Sequence, residues 1–172
     1  ALVQRVTYET IARRDRRVRH LAAARFLAND ASLDPDEIAE GIATHYLDAH
    51  ASDADAADRD NVRAEARRWF TRAAERAASV AASLEAQRAF ERAAGLAGSE
   101  ADQGRSLARA GELAVMGGRV DDAERLFVEA ITILERAGLR ADAASAERGL
   151  GEVLFATDRI EDGVYQFYPR AY

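Results

Sequence analysis

Along this chain apolar side chains recur at helical intervals, and polar or glycine-bearing interruptions mark where each helix stops. A first helix is predicted from about Asp15 through Leu27, ending at the polar run from Asn29 to Asp34. The next start carries its own signal. Asp34 can cap, Pro35 suits a first turn, and Glu37 stands three residues past the cap, as in a capping box. Ile38, Ile42, Tyr46 and Leu47 then share a face. From Ala51 to Asn61 the recurrent Asp and the missing apolar period read as a solvated linker or a frayed helix end. A long helix resumes near Val62. Beyond it the pattern predicts antiparallel helix pairs at about 62–80 with 84–97, 104–116 with 120–137 and 142–156 with 160–168, because loops this short hold consecutive helices side by side. Gly95 and Gly98, Gly117 and Gly118, Gly138 and Asp158 punctuate them.

The pairs share a spacing. Gly111 lies twelve residues before Ala123, Phe127 follows four later, and Ala130 three after that. Ala74, Ala86, Phe90 and Ala93 keep the same offsets, as do Gly151, Gly163 and Phe167. The copies are 37 and 40 residues apart, so the phase persists while loop or helix length drifts. Small residues facing each other let two helix backbones approach, and the aromatic fills the gap to the neighbouring pair. This pattern resembles the tetratricopeptide repeat, with its small residue and glycine on the first helix and A-x3-F-x2-A on the second. The period exceeds the standard 34 residues and the terminal proline is missing, so the resemblance implies long, degenerate copies.

Composition supports the same class. Ala dominates a hydrophobic fraction of 48%, β-branched residues are few and only two Pro occur, a mixture that favours helix over sheet. The expected fold is all-α, antiparallel helix pairs stacked as an α-α superhelix. It comprises an N-terminal helical region with its acidic linker over 1–61 and three degenerate repeat pairs over 62–172. All 24 basic residues are Arg, which reads as codon bias of a GC-rich bacterial genome rather than selection for guanidinium chemistry. Without Cys there is neither a disulfide framework nor a thiolate site, and a cytoplasmic setting is the simplest expectation. No apolar run approaches the length of a membrane span. The chain reads as a piece of a longer protein.

The segments Leu2 to Leu27, Asp36 to Ala49 and Ala66 to Ala97 are also similar to the helical region of large bacterial regulatory ATPases, adenylate-cyclase-linked or transcription-activating. That resemblance implies a regulatory arm whose motor and output domains lie outside this chain. Accordingly, no catalytic residue is expected here and no cofactor. No Lys is present for a phosphate-binding loop, and Gly149 and Gly151 fall inside a predicted helix with no strand before them. Ser99 lacks the flanking glycines of a nucleophile elbow. His45 and His50 are five apart and do not share a helix face as a zinc pair would. Counting a calcium loop from Asp53 puts Ala at positions 5 and 12, so the acids there read as a solvated linker.

Three surfaces are candidates for recognition. By position on the first helix of each pair, Arg68, Thr71 and Glu75, then Arg105, Ala108 and Glu112, then Ser145, Arg148, Glu152 and Phe155 would line a partner groove for a protein or peptide. The competing reading is that Arg72 with Glu75, Arg109 with Glu112 and Arg148 with Glu152 merely support their own helices. Charge is also zoned: the net −6 contains +4 over residues 1–30 and −8 over 31–61. The basic run Arg13, Arg14, Arg16, Arg17 and Arg19 would dock an adjoining domain, or present a solvated face, with nucleic acid disfavoured by the acidic total. The alternative functions are a small-molecule sensor lined by His45, Tyr46 and Trp69, or DNA contact through that Arg run. Finally, Tyr165, Phe167, Tyr168 and Tyr172 crowd the C-terminus, where an uncovered apolar end would favour a homodimer.

Overall fold

The computed structural model describes residues 12–157, and among these the chain is helical with no strand. The helices are α1 (Arg13–Asn29), α2 (Ala39–Ser52), α3 (Arg59–Ser79), α4 (Ser83–Gly95), α5 (Glu100–Met116), α6 (Val120–Arg136) and α7 (Arg140–Ala156). The expected helix at 160–168, and with it Gly163 and the C-terminal aromatics, lies outside the described residues. The chain divides into two compact units at the bond between Arg76 and Ala77. The first copy of the repeated spacing therefore has Ala74 in one unit and Ala86 in the other.

In the first unit α1 packs on α2, and Leu21, Ala24, Ile42, Ala43, Tyr46 and Ala49 are buried. On α3 the buried residues Val62, Ala66, Trp69 and Phe70 follow the three- and four-residue steps of one helix face. The capping signal at Asp34 works differently from the sequence expectation. Its Oδ1 accepts the Asp36 N–H at 2.9 Å and its carbonyl accepts the Glu37 N–H at 3.1 Å, closing a separate turn. Ile38, with φ −106° and ψ 8°, departs from helical geometry, so α2 begins only at Ala39. Asp36 is held by Arg72, whose hydrogen bond keeps that carboxyl below the usual carboxylate range, and Glu37 stands 3.9 Å from Arg76. These side chains tether the turn to α3.

The second unit uses one turn three times. Ala81, Gly118 and Gly138 sit at φ 59°, 70° and 74°. The residue after each, Ala82, Arg119 or Leu139, has φ between −91° and −80° and ψ between 65° and 74°. Its N–H bonds at 2.9 Å to the carbonyl five residues back, of Ala77, Ala114 or Leu134. That six-to-one closure is the Schellman pattern, in which the left-handed position suits Gly. Ala81 holds it with a Cβ. Ala81→Gly should therefore raise the unfolding free energy by about 1 kcal/mol, a Cβ in this region costing roughly 1–2 kcal/mol. A lower urea midpoint for that variant would contradict the turn geometry. The α4–α5 connection differs: Ser99 Oγ accepts the Asp102 N–H at 3.1 Å and caps α5.

Packing within this unit rests on glycine. A Cβ at Gly104 would meet Leu134 Cγ at 2.6 Å, and one at Gly111 would meet Phe127 Cε1 at 3.0 Å. Positions rise by seven on α5 as they fall by seven on α6, so the two helices are antiparallel. A Cβ at Gly104 would also lie 3.4 Å from the Ala130 carbonyl, and that register carried seven residues on keeps Ala123 level with Gly111, with the Phe127 ring filling the space beside the glycine. The other side of the Phe127 ring meets α7, where a Cβ at Gly149 would stand 2.6 Å from Cζ. Gly151, the small residue of the last copy, has its expected partner Gly163 outside the described residues. Gly151 itself is exposed with open space around it, because Ala146, Leu150 and Val153 define the buried side of α7 and a two-residue step turns away from it. Arg119 closes the unit from the α5–α6 turn. Its Nε donates to Gln87 Oε1 at 2.6 Å, and Nη2 to the carbonyls of Ser83 at 3.1 Å and Leu113 at 2.9 Å.

Candidate functional site

Because Phe127 is held between Gly111 and Gly149, α5 and α7 run the same way as neighbours, offset by 38 residues at that ring. Arg105 Nε donates to Asp142 Oδ2 at 2.8 Å, an offset of 37, and confirms the register with a direct link between the two helices. On the outer side of this pair Arg105, Arg109, Glu112, Arg148, Glu152 and Phe155 are exposed, while Ala108 is half-buried. Phe155 is 74% exposed, too much for a core role. Opposite charges and one aromatic are thus exposed on two neighbouring helices that run the same way.

The predicted groove residues are only partly brought together. Arg105, Ala108, Glu112, Ser145, Arg148, Glu152 and Phe155 lie on α5 and α7 of the second unit. Arg68, Thr71 and Glu75 belong to α3 in the first. There Arg68 donates to Glu65 Oε2 at 2.7 Å, and the guanidinium carbons of Arg68 and Arg72 each lie 5.1 Å from the Trp69 ring centroid. Of the three intrahelical pairs, Arg109 with Glu112 forms. Arg72 reaches Asp36 instead, and Arg148 donates to Ser145 Oγ at 2.9 Å. Arg109 also lies 5.8 Å from the Phe90 ring. Arg105 and Glu112 are therefore already engaged in ion pairs, with Asp142 and Arg109, and a ligand there would exchange partners with them.

The basic run on α1 is divided by its own helix. Arg17 pairs with Asp58 and Arg16 is half-buried, whereas Arg13, Arg14 and Arg19 are exposed. Tyr46 and Trp69, the proposed ligand-lining pair, are both core residues, and the Trp69 Nε1 is buried with no hydrogen-bond partner. His45 meets His20 across the α1–α2 interface, with Nδ1 atoms 3.1 Å apart and ring centroids separated by 5.4 Å. Nothing in sequence signals that pairing, since the two residues are 25 apart. Asp48 Oδ2 stands 3.7 Å from His20, and His50 Nδ1 lies 3.3 Å from the Arg59 carbonyl. No cluster of three or more metal-ligating side chains occurs among the described residues, nor a helix long and apolar enough to cross a membrane.

The His20–His45 contact needs at least one neutral ring, since two protonated Nδ1 groups have no acceptor between them. Burial is the largest influence and lowers the His20 pKa below 6.5, with His45 and Arg16 lowering it further and Asp48 opposing. His50 is lowered as well, first by burial and then by Arg59. Folding thus favours the neutral forms, and the unfolded chain binds more protons below pH 6.5. The associated stability is fully present above that value and is lost as pH falls through the lower folded values. Urea midpoints should drop between about pH 7.5 and about pH 5, with a shallower drop in His20→Gln. A flat profile, or one unchanged by the substitution, would contradict the contact.

The chain matches no family model, no curated protein and no solved structure.

Proposed function

We propose that this chain is a non-catalytic helical-repeat module, with tetratricopeptide-like pairs stacked as a superhelix, that recognises a protein or peptide segment on the outer surface of α5 and α7. The observation that carries the reading is the three-fold use of one αL turn together with the register of 37 and 38 residues between α5 and α7. A repeated turn and a repeated small-residue contact are what a stacked array requires, and such arrays bind along the surface their first helices share. The sequence resemblance to regulatory ATPases supports a role as a signalling or transcription-regulating arm of a larger bacterial protein in the cytoplasm. Its partner would then be an adjoining domain or a segment of another protein. Exposed Phe155 supplies an aromatic anchor and the Arg105, Glu112, Arg148 and Glu152 charges supply register, the combination in which a few residues carry most of the affinity.

Peptides selected from a displayed library on the purified chain test this. Affinity should fall about tenfold, or about 1.4 kcal/mol, in the Arg105→Ala/Glu112→Ala double variant. Its melting temperature should barely move, exposed pairs contributing about 0–1 kcal/mol each. Failure to select any binder, or binders indifferent to both positions, would refute the reading.

A further inference from the structure

A second surface is independent of that groove. On α1 the residues Val18, Ala22 and Phe26 stand at four-residue intervals on the solvent side, opposite the buried Leu21 and Ala24. Val18 is 58% exposed and Phe26 69%, so this helix carries an apolar stripe on the face its own unit leaves open. Exposed Arg14, Arg19 and Arg25 flank the stripe, with Asp15 as the single exposed acid of the helix. A basic border around an apolar stripe calls for an occupant of inverse charge with an apolar centre.

The same chain carries such a surface. On α6 an open depression of about 430 Å³ is lined by Asp121, Glu124, Arg125, Val128 and Glu129. Arg125 is drawn aside to Glu91 at 3.3 Å and Asp122 at 3.4 Å, which leaves the depression acidic around the half-buried Val128. We propose that the α1 face of one molecule docks on the α6 depression of a second copy, with Phe26 seated over Val128 and Arg14, Arg19 and Arg25 facing Asp121, Glu124 and Glu129. The two patches differ, so the contact is head-to-tail: a pair of molecules keeps one free patch of each kind, and association continues beyond a dimer or closes as a ring. Charge supplies much of the attraction, so association depends on salt.

Sedimentation equilibrium on the full chain decides the matter. At about 10 mM salt the weight-average mass should rise with concentration above that of one chain, and at about 1 M, where the screening length shrinks from about 30 Å to about 3 Å, it should return to the monomer. Phe26→Glu disables the α1 patch and Asp121→Arg/Glu129→Arg the α6 patch; all three positions are exposed, and circular dichroism melts verify that both proteins remain folded. Each variant alone should be monomeric at low salt. Mixed in equal amounts they should form a one-to-one complex and nothing larger, because only one pair of intact patches remains. A wild-type chain that stays monomeric, association that survives Phe26→Glu or high salt, or a mixture that does not combine would each overturn the proposal. A chain that instead binds vesicles containing phosphatidylserine through the same arginines while remaining monomeric in solution would also overturn it. None of these results touches the α5–α7 groove, whose test is read separately.

Discussion

Phe127→Ala should lower the unfolding free energy of the second unit by about 3–5 kcal/mol, the range for emptying an aromatic site in a closed core. The ring is 1% exposed, and it lies against α5 at Gly111 and against α7 at Gly149, so its loss uncouples three helices at once. The complementary change tests the same contact from the other side. Gly149→Ala gains about 1 kcal/mol of helix propensity, yet its Cβ would stand 2.6 Å from a ring that Gly111 prevents from retreating. Overpacking of this kind costs typically 1–3 kcal/mol, so the net effect should be a loss. Phe127→Leu/Gly149→Ala should then be more stable than the sum of its single changes, because the smaller side chain relieves the clash. Urea unfolding of the four proteins measures the coupling directly. Additive energies, or a Gly149→Ala protein more stable than wild type, would show that the ring does not set the spacing of α5 and α7.

Arg119→Ala should cost about 2 kcal/mol, since it withdraws a charged donor from the Ser83 and Leu113 carbonyls and from Gln87 and leaves their oxygens short of a partner. Arg119→Lys should recover little. An ammonium is a compact charge, whereas these acceptors lie around a planar fork. A more pointed prediction concerns Gly117: a Cβ there would fall on the Arg119 guanidinium, so Gly117→Ala should reproduce most of the Arg119→Ala loss by expelling it. Neither variant should change the helical content below the melting transition, because the bonds removed join elements rather than build them. Gly117→Ala with an unaltered urea midpoint would show that the guanidinium can be satisfied elsewhere.

Residues close in sequence carried most of what could be read in advance. The helices α3 to α7 fall where the apolar period and the Gly breaks put them, since i, i+3 and i, i+4 spacing is a property of the sequence that survives whatever packs against it. Gly118 and Gly138 announced their turns because the left-handed conformation they supply is a local requirement. Ala81 performs the same turn and gave no such signal, its conformation being imposed by the helices it joins. A polar turn at Asp34 to Glu37 was legible, but not that it would stand apart from α2 or that the Asp36 carboxylate would be claimed by Arg72 on another helix. For the candidate site, Arg105, Arg148 and Phe155 could be placed on outward positions from phase alone. Their mutual register could not be.

What the sequence alone determined is therefore the helical class, the punctuation and the small-residue phase within each pair, because each is written in separations of a dozen residues or fewer. The tertiary structure decided which glycine meets Phe127, that Gly149 rather than Gly151 faces inward, that His20 finds His45, and that the arginines of α1 divide between Asp58 and solvent. These outcomes depend on the rotation of each helix about its axis. That rotation is set by the summed burial of a whole face, and a two-residue error in phase turns a side chain through about 200°.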